Sequence, residues 1–195
     1  MKKPDTIFLA SGNTHKIEEL KQVLQPLGIM LKSTLDYPDA EEVVEDKPDL
    51  QGNALKKAKF WWNKTGLPSI SDDTGLEVDA LNGAPGVYSA RYAGENPTYD
   101  DNVNKLLTEL KKETNRSAQF RTVIAFVDGS ENYFFEGICR GEIIDEKRGD
   151  KGFGYDPVFV PEGFEKTFAE LSAEEKNKIS HRGRAVQKFI DFLSE

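Results

Sequence analysis

The chain has 195 residues, with 26 Lys+Arg against 34 Asp+Glu and a formal net charge of −8. That length suits one domain, or two lobes sharing one core. The net negative charge excludes a global attraction to a nucleic acid polymer, and the lone Cys139 excludes an intramolecular disulfide and a Cys-based zinc site. No apolar stretch approaches the roughly 18–20 residues that span a bilayer. Met1-Lys2-Lys3-Pro4-Asp5 has neither the hydrophobic region nor the small-residue cleavage site of a signal peptide. A cytoplasmic protein with no membrane partner is expected, and any polyanionic ligand must be held by local cations, helix N-termini or a metal ion.

Asp5 to Ala10 reads as a short buried strand running into Ser11-Gly12-Asn13-Thr14, a cluster of turn and N-cap residues. Ile17, Leu20, Leu24 and Leu27 then recur at helical spacing, so a helix from His15 to about Leu27 stops at Gly28. Ile29 to Thr34 reads as a strand and Asp36 to Asp49 as an acidic loop. Leu50, Ala54, Ala58 and Trp61 or Trp62 mark a second helix, ended at Thr65-Gly66. Leu67 to Ser71 reads as a short strand that ends at Asp72-Asp73 and enters a turn at Thr74-Gly75. Pro97 to Leu110 is a third helix. Ala118 to Val127 is the strongest strand, apolar on both faces at its end and therefore central; Asp128-Gly129 opens a hairpin whose partner is Tyr133 to Ile144. Gly152 to Pro157 is a second glycine loop before Val158-Phe159-Val160. Ser172 to Glu175 has capping-box form, and Ile179 to Leu193 is a terminal amphipathic helix. Strands separated by helices, plus one long hairpin, imply an α/β fold with a mixed sheet.

Several segments could carry chemistry, and each also has an ordinary structural explanation. Ser11, Gly12, Asn13, Thr14, His15 and Lys16 place backbone N–H groups, a helix dipole and a cation at one point, as phosphate binding requires; a capped helix with a solvated lysine looks the same. Asp72 and Asp73 are hard ligands suited to Mg²⁺ with substrate phosphates, or an Asp-rich turn capping itself. Adjacent strand side chains point to opposite sides, so one Asp would face a given site. Asn53 and Lys57 share a helix face, which can equally be the wet side of the helix. Phe153 and Tyr155 can stack on a planar base or pack in the core. His181 and Arg182 sit at a predicted helix start and can donate to a carbonyl-bearing ligand. Together these are what binding a nucleoside triphosphate requires.

The motifs occur in order as Ser11-Gly12-Asn13-x-x-Lys16, Gly52-Asn53-Ala54-x-x-Lys57-Ala58, Ser71-Asp72-Asp73-Thr74-Gly75-Leu76, Gly83-Ala84-Pro85-Gly86-Val87-Tyr88-Ser89-Ala90-Arg91-Tyr92, Gly152-Phe153-Gly154-Tyr155-Asp156-Pro157-Val158-Phe159 and Ser180-His181-Arg182-Gly183. In them, from Phe8 to Phe189, the chain closely resembles the inosine triphosphate pyrophosphatase family. The resemblance implies a twisted mixed sheet flanked by helices, one domain over 1–195 with two lobes around a central cleft, and a homodimer. It implies Mg²⁺-dependent hydrolysis of ITP, dITP and XTP to the monophosphate and pyrophosphate. It gives triphosphate binding to Ser11 through Lys16 and to Lys57, and metal binding and general-base work to Asp73, with Asp72 open as the base. Thr74 would contact substrate. Phe153, Gly154, Tyr155, Asp156, Lys176, His181 and Arg182 would form the nucleobase pocket. A further metal ligand is placed at Glu45 by the family spacing; Glu42 and Glu41 stay open because Gly52 stands where many members have Glu. A related-fold pyrophosphatase acting on other modified nucleotides is the alternative.

Overall fold

A computed structural model describes residues 3–129 and 131–194. Met1 and Lys2 of the N-terminal run, Ser130 of the hairpin loop and Glu195 lie outside the described residues. The strands are β1 (Thr6–Leu9), β2 (Met30–Ser33), β3 (Ser69–Val78), β4 (Ser117–Asp128), β5 (Glu131–Ile143) and β6 (Phe159–Pro161). The helices are α1 (Thr14–Leu24), α2 (Leu50–Thr65), α3 (Tyr99–Glu109), α4 (Ala173–Ile179) and α5 (His181–Ser194). The strands form one mixed sheet in the order β2-β1-β3-β4-β5-β6, with β1 parallel to β2 and β3 and β5 antiparallel to β6. The expected α/β sheet flanked by helices is thus the observed one.

The chain divides into two compact units. The first holds residues 1–73, 123–136 and 185–195, and the second holds 74–122 and 137–184.

In the first unit the period-2 alternation of strands decides what each face meets. Ile7 and Leu9 of β1, Ile70 of β3, and Ile124 and Phe126 of β4 pack with Ile17, Leu20 and Leu24 of α1 and Val186, Phe189 and Leu193 of α5. On the opposite face Phe8 stacks on Trp61 of α2, ring centroids 4.5 Å apart, and Ala125 and Val127 meet Ala54 and Ala58. Small residues on both sides let α2 lie close against the strands. Gly66, in the left-handed region at φ 67°, ends α2.

The second unit is built on Leu76, Val78, Phe120, Ile143, Phe159 and Phe168, with Val103, Leu106 and Leu110 from α3 and its end. Thr98 and Asp101 form a reciprocal capping box, so α3 begins two residues later than the expected Pro97, whose ring has no N–H to give. The terminal helix also differs from expectation. Ser180 closes α4 through its N–H to Lys176 O at 2.8 Å and opens α5 through Oγ, which accepts from Gly183 N–H at 3.1 Å. The break therefore falls at Ser180, and α5 starts at His181 rather than Ile179.

Candidate active site

β3 does not stop at Asp72. It runs on through Asp73, Thr74 and Gly75 to Val78, so the carboxylates lie within a strand and not at the lip of a turn. Gly75 serves a close approach instead: a Cβ there would lie 2.5 Å from the Gly86 carbonyl oxygen.

Within the first unit the strand alternation sends the two aspartates to different lysines. Asp72, on the face of Ile70, reaches α1, with Oδ1 2.9 Å from Lys16 Nζ. Asp73, on the other face, reaches α2, with Oδ1 3.3 Å from Lys57 Nζ. Lys57 also donates to the Asp72 carbonyl oxygen at 2.9 Å and to Glu45 Oε1 at 2.5 Å. One ammonium therefore gathers oxygens from the acidic loop and from β3. Of the three glutamates open in the sequence reading, Glu45 is the one brought here; Glu41 and Glu42 are exposed.

Burial pushes the Asp73 carboxyl up to about 6, and the Glu45 charge pushes the same way, while Lys57 and Asn53 oppose. Burial works against the Lys57 charge, but Asp73, Asp72 and Glu45 outweigh it and hold that ammonium above its ordinary pKa. Asn53, fully buried one turn before Lys57, accepts the Lys47 N–H at 2.9 Å and so pins the acidic loop just beyond Glu45. The i, i+4 spacing of Asn53 and Lys57 was visible in the sequence; the clasp on Lys47 was not.

The loop before α1 uses part of its own donor set. Asn13 Oδ1 accepts from His15 N–H at 3.0 Å and Lys16 N–H at 3.3 Å, and Ser11 Oγ accepts from Asn13 N–H at 3.2 Å. Gly12, Thr14 and His15 are exposed. The helix dipole and the Lys16 cation remain as anion-attracting features.

A divalent cation fits the first-unit cluster by donor chemistry. Glu45 and Asp73 are hard oxygen donors that already converge on one cation. Ser71 Oγ, on the Asp73 face, is buried without a hydrogen-bond partner. Among the described residues no set of three or more His, Cys, Asp or Glu side chains is gathered for a metal. Two carboxylates, with substrate phosphates completing the shell, is the pattern of Mg²⁺ rather than of a closed protein cage.

The second unit holds the other predicted residues. Asp156, only 3% exposed, accepts the Phe153 N–H at 2.9 Å and the Lys176 ammonium at 2.5 Å on Oδ2. Gly152, at φ +75°, leaves room for that carboxylate, since a Cβ there would lie 2.0 Å from Oδ2. Lys176 Nζ stands 5.0 Å from the centre of the Phe153 ring, and Phe153 is half exposed. Tyr155 instead is buried and donates its hydroxyl to Ser89 O at 2.9 Å. Phe153 is thus the aromatic of this loop open to a planar ligand, while Tyr155 and Asp156 hold the loop in shape. His181 stacks on Phe120, centroids 4.7 Å apart, with Arg182 next on α5. Thr74 shares a 2.6 Å hydroxyl contact with Thr122. Phe120 belongs to the apolar core of this unit, and the ring centroid of Tyr99, on α3, lies 6.1 Å from that of Phe153.

A family profile described as the Ham1 family matches residues 7–192. A protein named dITP/XTP pyrophosphatase from Flavobacterium johnsoniae is 52% identical over 188 residues, covering 96% of this chain and 97% of the relative. One of the same name from Porphyromonas gingivalis is 48% identical, covering 97% of each. The solved Staphylococcus aureus Ham1 protein superposes with a TM-score of 0.92 at 40% identity, covering 97% of this chain and 98% of that one.

Proposed function

The chain belongs to the Ham1 family, and from that premise we propose that it hydrolyses non-standard purine nucleoside triphosphates, dITP, ITP and XTP, to the monophosphate and pyrophosphate. The observation that carries the reading is the convergence of Glu45, Asp73 and the Asp72 carbonyl on Lys57, beside the Lys16–Asp72 pair. Relatives with this activity in their names, at about half identity over nearly the whole chain, support it.

Lys16 and Lys57, with the N-terminus of α1, bind the triphosphate and stabilise the charge that builds on departing pyrophosphate. Glu45 and Asp73 would hold Mg²⁺, which would supply neutralising charge to the polyphosphate. A water oxygen attacks the α-phosphorus, the bond from that phosphorus to the bridging oxygen breaks, and pyrophosphate leaves. Asp73 orients the water and takes its proton. Asp72, committed to Lys16, positions that lysine.

In the second unit Phe153 stacks on the base, with Gly154 beside it, and Lys176, His181 and Arg182 donate toward the 6-oxo group that hypoxanthine and xanthine carry and adenine lacks. A buried donor left facing an amine costs about 1–3 kcal/mol, so two such donors discriminate strongly. Thr74 contacts the substrate through its hydroxyl. A homodimer, expected from the resemblance, and a cytoplasmic location, expected from composition and the N-terminal run, belong to the same proposal; light scattering and cell fractionation test them. No helix among the described residues is long and apolar enough to cross a membrane.

The test is pyrophosphate release from ITP, XTP, GTP and ATP at equal concentration, with Mg²⁺ and with EDTA. Metal-dependent release, strongest for ITP and XTP, is expected. Orthophosphate release, or no preference for the deaminated purines, would favour a related enzyme acting on other modified nucleotides.

A further inference from the structure

Lys57 is placed as a cation would be. Its Nζ has Glu45 Oε1 at 2.5 Å, the Asp72 carbonyl at 2.9 Å and Asp73 Oδ1 at 3.3 Å, and its side chain is only 15% exposed. Two carboxylates drawn from a loop and a strand repel each other unless a positive charge lies between them. We infer that Lys57 is an exchangeable occupant of the cation position: its ammonium holds Glu45 and Asp73 together until a divalent cation enters, then swings out to meet the substrate's phosphates. The inference rests on the proposed assignment of Glu45 and Asp73 as cation ligands.

The physical reasons are charge and reach. A divalent ion bound to the same oxygens, at about 2.0–2.1 Å for Mg²⁺, would leave a lysine cation within a few ångströms of a +2 charge, which is strongly unfavourable in a half-buried setting. The ammonium sits on a flexible four-carbon stem that can carry it aside. No covalent bond is made or broken. Displacement delivers a positive charge to the flank of the site, where the polyphosphate arrives. Cation binding and phosphate contact are then two halves of one rearrangement, and the carboxylates are kept from spreading or collecting a wrong partner in the meantime.

Calorimetric titration with Mg²⁺ alone, without nucleotide, tests this on the full chain. Lys57→Met, which fills similar space without charge, is expected to bind Mg²⁺ about tenfold tighter than the unmodified protein, or about 1.4 kcal/mol, while losing activity on ITP. Equal or weaker Mg²⁺ binding by Lys57→Met overturns the exchange. A companion Lys57→Met/Asp73→Asn protein separates the exchange from its premise: if it binds as tightly as Lys57→Met, Asp73 is no ligand and the proposed assignment falls, taking the exchange with it. A second measurement needs no variant. Acylation of Lys57 in the unmodified protein, followed by peptide mass spectrometry, is expected to run several-fold faster with Mg²⁺ than with EDTA, and an unchanged rate overturns the inference even if Lys57→Met fails to fold.

Discussion

Asp156→Asn tests whether the glycine loop is held by a charge or merely by shape. The native carboxylate is 3% exposed and accepts from both the Phe153 N–H and the Lys176 ammonium, whose side chain is 17% exposed. Asparagine keeps the size and one acceptor, so the Phe153 bond can survive. Lys176 shares that same oxygen, Oδ2 in the native protein, so it would then face a neutral amide oxygen and be left without its counter-charge. Breaking a fully buried pair costs about 3–5 kcal/mol; Lys176 retains some water, so about 2 kcal/mol is expected for this one. Urea denaturation at neutral pH reads the loss. Combining it with Lys176→Met should return about 1–2 kcal/mol as coupling energy, because the orphaned cation is removed with its partner. Because Phe153 is the aromatic that loop presents, KM for ITP should rise several-fold with a smaller change in kcat. Asp156→Asn within 0.5 kcal/mol of the native protein, or fully additive variants, would show that the ion pair does not organise the loop, at the roughly 0.5 kcal/mol resolution of such cycles.

The remaining predictions concern the first-unit cluster, the base-binding arginine and the single thiol. In EDTA, Asp73 rises from the ordinary 3.8 to about 6, a net in which Lys57 already opposes burial, so the folded state binds the extra proton and stability falls as pH climbs between those values; Asp73→Asn should gain stability over that window and hold the gain above it, with a ceiling of about 3 kcal/mol. Denaturation curves at pH 4 and pH 8 that show the same difference between variant and native protein would refute the burial argument. Asp73→Asn should abolish turnover and Mg²⁺ binding, whereas Asp72→Asn should chiefly raise KM by releasing Lys16; equal loss of kcat in both variants would contradict the division of roles. Arg182→Ala should narrow the ITP-over-ATP preference more than it weakens phosphate binding, and an unchanged preference removes it from base recognition. Cys139 is 3% exposed and burial pushes its thiol up to about 11, so iodoacetamide should label it only after unfolding.

Most elements were legible because their signals are local. Asn13 announces a helix start, Gly66 a helix end, and the spacing of Ile17, Leu20 and Leu24 the buried stripe of α1. β3 was misjudged for an equally physical reason. Asp72-Asp73-Thr74-Gly75 has turn composition, yet its backbone is ordered by neighbouring strands and by Gly86 packed onto Gly75, contacts that only the assembled sheet supplies. The glycine was a marker of close approach rather than of a bend.

The candidate site followed a similar rule. Residue types pointed to anion and metal chemistry, but partners did not. Alternation along a strand implied that Asp72 and Asp73 part company; that one goes to α1 and the other to α2 depends on which helix covers which face, fixed by Ile70 and Ile124 on one side and Ala125 and Val127 on the other. The core pattern thereby sets the chemistry. A strand slipped by one residue would exchange the aspartates between the two lysines and turn Ile70 off the apolar face of α1 and α5. The same burial that stabilises the sheet thus holds Asp73, and not Asp72, in register with Glu45 and Lys57.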